Sequence, residues 1–126
     1  MLKINEIAFS CYPVIDMARA RKFYEGVLGL KPTMTVGEPG GMQWTEYDIA
    51  NGTLSLGAGA PDWLPRSDGC SVGLEVEDFD GAIAHLKSNG VKFKMEPFPT
   101  PVCRMAMISD PDGNTICIHK RNAGHH

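Results

Sequence analysis

The sequence has no long hydrophobic run. No stretch approaches the roughly 20 apolar residues that a membrane span requires, and the opening Met1-Leu-Lys-Ile-Asn-Glu6 carries no apolar core of an export signal. A membrane partner is therefore not expected, and a cytoplasmic location is. The chain also lacks any C-x-x-C pair. Cys11, Cys70, Cys103 and Cys117 lie far apart, which signals neither a redox pair nor a zinc knuckle and leaves reduced thiols as the expectation. Basic clusters are scarce as well. Twelve Lys and Arg against fifteen Asp and Glu give a net charge of −3, and the one short basic run, Arg19, Arg21 and Lys22, reads as the solvated side of a helix. Nucleic acid is thereby excluded as the expected partner, leaving a small organic ligand or another protein.

What is present is the composition of one globular domain. Across 126 residues, 43% are apolar and 21% charged, enough to enclose a core. An apolar run rich in β-formers, Ile7 to Val14, leads to Asp16, a good N-cap for a helix over Met17 to Leu28. In that helix Met17, Ala20, Phe23, Tyr24, Val27 and Leu28 recur at helical spacing, and Gly29 ends it. Three strands follow, near Lys31 to Val36, Met42 to Ile49 and Thr53 to Gly57, with Asn51-Gly52 as the hairpin signal between the last two. The second half repeats the order. It has a strand from Cys70 to Val76, Asp78 as N-cap, and a helix through Ala82, Ile83, Leu86 and Lys87 to Gly90. Its later strands run over Val91 to Met95, Val102 to Ser109 and Asn114 to His119, with Asp110-Pro-Asp-Gly113 as the last turn.

A constant offset of 62 residues superposes Val14 on Val76, Asp16 on Asp78, Ala20 on Ala82, and Thr53-Leu-Ser-Leu56 on Thr115-Ile-Cys-Ile118. The chain thus reads as two tandem β-α-β-β-β modules, residues 1–57 and 70–121, joined by a linker over 58–69 within a single α+β domain. Neither module covers its sheet alone, so a curved mixed sheet around a shared cleft is expected, and a cleft is the natural place for a ligand. The closing His125-His126 reads as a tag remnant and is set aside.

The segment Asp16-x-x-x-Ala20-x-x-Phe23-Tyr24-x-x-x-Leu28-Gly29, together with Asp110-Pro-Asp-Gly113 before an apolar strand, resembles the vicinal oxygen chelate superfamily of glyoxalases, bleomycin-resistance proteins and extradiol dioxygenases. The resemblance covers nearly the whole chain. It implies a glyoxalase-like fold, frequent homodimers and, in the enzymes, a divalent metal held by His, Glu or Gln on the first and last strands of the modules. Carried over by position, the first-strand slots, seven residues before each capping Asp, fall on Phe9 and Ser71. The last-strand slots fall on Ser55 and Cys117. Cys117 alone carries a soft donor, so no metal and no cofactor is expected, a family-type divalent ion being the alternative. Register is the open point, because Pro13 is a candidate bulge site; a slip of one, two or three residues would move the first slot to Ala8, Ile7 or Glu6.

Period-two alternation aims Ser71, Gly73 and Glu75 at the concave side. Glu75 is the best candidate for a general base, since an acid desolvated in a cleft has its pKa raised; otherwise it lies at the solvent end of its strand. Cys117 and His119 share a strand face, which suits a Cys/His pairing or, more plainly, a packed thiol beside a solvated imidazole. Trp44, Tyr47, Met105 and Met107 lie on strands bordering the cleft and suit an apolar or planar ligand, although alternation lets only part of the set face inward. The expected ligand contacts are accordingly Phe9, Trp44, Tyr47, Ser55, Ser71, Glu75, Met105 and Cys117. Trp63 in the linker reads equally as a lid, a dimer contact or neither. Three functions compete: metal-independent binding of a small organic molecule, a lyase, isomerase or dioxygenase of the same superfamily, and a purely structural domain.

Overall fold

A computed structural model describes residues 1–124; His125 and His126 lie outside the described residues. The chain divides into two compact units, one spanning Met1–Pro65 and one from Arg66 onward. Each has the β-α-β-β-β order read from the repeat. In the first unit, β1 (Ser10–Pro13), α1 (Met17–Arg21), β2 (Met34–Gly37), β3 (Gln43–Ile49) and β4 (Gly52–Ala58) follow one another. In the second, β5 (Val72–Glu75), α2 (Phe79–Ser88), β6 (Phe93–Pro99), β7 (Cys103–Ser109) and β8 (Thr115–Arg121) do the same. Each unit forms its own four-stranded mixed sheet, ordered β1-β4-β3-β2 in one and β5-β8-β7-β6 in the other. First and last strands run parallel, and the remaining pairs are antiparallel.

Both helix starts are capped as their sequences imply. Asp16 accepts from the Arg19 N–H at 3.1 Å, and Asp78 accepts from the Gly81 N–H at 3.1 Å. The first helix departs from expectation in its second half. Beyond Arg21 the coil widens into a π-helical turn over Lys22–Val27, with Leu28 N–H donating to Phe23 O and Leu30 N–H to Tyr24 O. The wide turn still buries Phe23 and Tyr24 while Gly29 closes it at φ 79°. Asp110 holds the last hairpin by accepting from the Asp112 N–H, the Asn114 N–H and the Asn114 Nδ2 amide.

Helices cover one side of each sheet. In the first unit Tyr12, Val14, Met17, Ala20, Tyr24, Tyr47, Leu54 and Leu56 are enclosed, and in the second Phe79, Leu86, Ala106, Ile108, Ile116 and Ile118. Two sequence expectations are corrected. The first strand is shorter than Ile7 to Val14, and Pro13 pairs with Gly57 in unbroken register rather than at a bulge, as an edge strand tolerates. The hairpin between β3 and β4 turns on Ala50 and Asn51, because Gly52 already pairs with Ile49, and Ala50 takes the positive φ of 50°.

Candidate functional site

The side of each sheet away from its helix is the surface on which site residues gather. In the first unit, cross-strand partners share a face, so the pairings of Trp44 with Gly57 and of Glu46 with Ser55 put all four on the open side. Cys11 pairs with Ser55 from β1 and joins them. Phe9, just before β1, sets its ring edge-to-face on Trp44, centroids 5.3 Å apart at 86°. The Trp44 indole N–H donates to Glu46 Oε2 at 2.8 Å. Trp63 completes the group. A β-carbon at Gly57 would lie 2.7 Å from Trp63 Cζ3 and 3.4 Å from Trp44 Cε3, so the linker tryptophan lies directly over the glycine. Of the three roles open to Trp63, covering this face is the one its position supports.

On the same face Ser55 is fully enclosed, and its hydroxyl has no hydrogen-bond partner. An enclosed hydroxyl without a partner costs about 1–3 kcal/mol. The Cys11 thiol is pushed up to about 12, first by burial and then by the negative charge of Glu46. It therefore stays protonated and packs as a small apolar group.

Tyr47 is the sequence candidate that does not belong here. It lies three residues from Trp44 in an unbroken strand and so faces the helix. There it is fully buried, stacked on Tyr24 with centroids 6.2 Å apart, and donates its hydroxyl to Glu25 Oε2 at 2.9 Å. Thr45 shares that side, 3.5 Å from Met17 Sδ.

In the second unit the pairings of Gly73 with Cys117 and of Glu75 with His119 put all four on the open face, joined from β7 by Met105 and Met107. Ser71 precedes β5 and is exposed. The Glu75 carboxylate meets His119 Nδ1 at 2.5 Å and accepts the Arg121 backbone N–H at 2.8 Å, while the Arg121 guanidinium stands 3.8 Å away. Partial desolvation pushes this carboxyl up, but the Arg121 N–H, His119 and the Arg121 charge outweigh it and hold the group below its ordinary value. Of the two sequence readings of Glu75, the exposed end of its strand is the position observed, and the hydrogen bonds there lower the carboxyl where a desolvated cleft base needs it raised. His119 pairs with Glu75 rather than with Cys117, whose thiol is buried and raised by that burial and then by Cys103.

Sequence reasoning passed over Glu46, although its spacing of two from Trp44 was a usable signal. It weighed Glu75 and His119 separately, and the parallel pairing of first and last strands is what makes them neighbours. The metal slots do not fit a divalent ion. Phe9 has no donor atom, Ser55 and Ser71 offer neutral hydroxyls, and the Cys117 thiol is held protonated. Among the described residues no three His, Cys, Asp or Glu side chains come together to hold a metal ion.

Comparison with known proteins agrees with the geometry. TnmS3, an antibiotic binding protein from Streptomyces sp. CB03234, is 27% identical, with a TM-score of 0.79 over 97% of this chain and 100% of its own. A glyoxalase/bleomycin resistance protein from the same organism is 30% identical, with a TM-score of 0.72 over 90% of this chain and 98% of its own. YaeR of Escherichia coli (strain K12), an uncharacterized protein, is 24% identical over 131 residues, covering 96% of this chain and 100% of YaeR. The profile of one family matches residues 3–118, and the chain belongs to that family, the Glyoxalase/Bleomycin resistance protein/Dioxygenase superfamily.

Proposed function

We propose that the protein binds a small, flat, largely uncharged organic molecule on the open face of its first unit, without a metal, and holds it without transforming it. The observation that carries this reading is the enclosed Ser55 hydroxyl, unpartnered on the face that also carries Phe9 and Trp44. Once the groups that enclose Ser55 move aside, a ligand carbonyl or hydroxyl supplies the missing hydrogen bond, a net gain of about 0.5–1.5 kcal/mol. Each aromatic contact with Phe9, Trp44 or Trp63 adds about 0.5–1.5 kcal/mol beyond burial of area. The likeness to an antibiotic-binding protein extends the expected ligand class to flat antibiotic-like compounds. The four unpaired thiols suit the cytoplasmic location that forms part of this reading. A lyase, isomerase or dioxygenase remains the alternative, and it draws support only from the contact between Glu75 and His119.

Titration of the protein with a panel of flat aromatic compounds, followed by tryptophan fluorescence, tests the proposal. Trp44→Ala should weaken the best compound at least about tenfold, and Ser55→Ala should weaken it by up to about tenfold. A panel without a binder, or a binder indifferent to both substitutions, would remove the site from this face.

A further inference from the structure

The open face of the second unit carries an arrangement that stacking and shape do not use. His119 Nδ1 lies against Glu75 Oε1, and a carboxylate can only accept, so the proton of that hydrogen bond belongs to Nδ1. That sets the tautomer of the neutral ring, in which Nε2 carries the lone pair. Glu75 stays ionised because the Arg121 N–H occupies its other oxygen and the Arg121 guanidinium stands beside it. One step along the same face, Gly73 pairs with Cys117, and a β-carbon built on Gly73 would meet nothing within 4 Å. The dyad therefore borders open space above the glycine, with the buried Cys117 thiol beside it and Met105 paired to His119 from β7.

We propose that Glu75 and His119, with Arg121 beside them, form a subsite for aromatic or enolic ligands that carry a weakly acidic hydroxyl, which is taken up as the anion. On binding, the ligand O–H bond breaks and its electron pair stays on the oxygen. The proton adds to the Nε2 lone pair, giving an imidazolium whose Nδ1–H still donates to Glu75. Net charge is conserved. The site begins with Glu75 negative and Arg121 positive, and it ends with imidazolium and phenolate added as a facing pair. The ligand ring takes the space over Gly73, beside Cys117 and Met105. The groups facing His119 are Glu75 on β5, Arg121 on its own strand and the neutral Met105 on β7. This inference uses no residue of the first unit and stands apart from the function proposed there.

The test uses para-nitrophenol, whose absorbance reports its own ionisation. With the full chain, bound dye should ionise at a pH lower by about one unit or more, a tenfold preference for the anion. His119→Gln should abolish that shift, Glu75→Gln should reduce it, and Gly73→Leu should block binding by filling the space. Trp44→Ala should leave the shift intact, which separates failure here from failure of the first-unit reading. Nitrogen NMR of the unmodified protein needs no variant: the dye should convert the His119 ring from the Nδ1–H tautomer to imidazolium. A protein that does not bind the dye, a bound dye with unshifted ionisation, or a His119 ring unchanged on binding would each overturn the proposal.

Discussion

Gly57 is the residue whose side chain, or lack of one, decides most about the first unit's open face. Its φ is unexceptional and the constraint is space, since a methyl group there would stand 2.7 Å from the Trp63 ring. Gly57→Ala should lift Trp63 off the face and cost about 1–3 kcal/mol, the usual range for overpacking. Red-shifted tryptophan emission together with a lower melting temperature checks it, and unchanged emission contradicts the placement of Trp63. Nothing in the sequence announced this contact, because Trp63 lies in an irregular segment where no periodicity aims a side chain. Phe9 and Trp44 were readable, one from its slot before the helix cap and the other from its strand. Alternation puts Trp44 and Tyr47 on opposite faces, and nothing in the sequence says which of the two faces the helix, so only the structure assigns Tyr47 to the core. Ala50 shows the same gap at the turn. Asn51-Gly52 announced a hairpin, yet strand pairing reached one residue further and left alanine with the positive φ.

Among the elements, the first helix is where local sequence and realised structure part most. Its N-cap, its buried stripe and its closing glycine were all legible, and the widening after Arg21 was not, since π-helical and α-helical turns share their apolar spacing over so few residues. The widened turn carries Glu25, which accepts from Arg21 Nε at 2.6 Å and from the Tyr47 hydroxyl. Desolvation pushes the Glu25 carboxyl up, but these donors prevail and hold it below its ordinary 4.5. Because the folded value is the depressed one, the unfolded chain binds this proton more readily. The stabilisation is therefore fully present above about pH 4.5 and is lost as pH falls through the lower folded value. Glu75 adds to the same trend in the second unit. Thermal melts from pH 7 to pH 3 should show stability falling across the acid limb, with a shallower fall in Glu25→Gln. Equal slopes in the two proteins would show that the hydrogen bonds from Arg21 and Tyr47 do not hold Glu25 ionised.

At the scale of the whole molecule, the repeat carried most of the information. Aligning residue 14 with 76 and residue 53 with 115 was enough to foresee two modules of matching β-α-β-β-β order, because caps and final strands recur at one offset, whereas the single curved sheet expected of them is realised as two four-stranded sheets. How the chain assembles depends on surfaces whose pairing partners lie outside each sheet. Strands β1 and β2 bound the first sheet and β5 and β6 the second, and such edges favour pairing with another chain. Residues 1–9 lie outside any strand, and Leu2, Ile4 and Ile7 among them are largely exposed, 87%, 79% and 80%. Apolar side chains exposed together next to an open strand edge are the features that association removes from water, and closed two-fold pairing is the commonest outcome for soluble chains. A homodimer is therefore expected, with a light-scattering mass near twice 13.7 kDa. Removing residues 1–8 should shift it toward the monomer while leaving the far-ultraviolet circular dichroism nearly unchanged, since those residues contribute no strand or helix. A mass near 13.7 kDa at every concentration would exclude the dimer. A dimer that persists undiminished after the deletion would move the contact from the amino-terminal arm to the sheet edges.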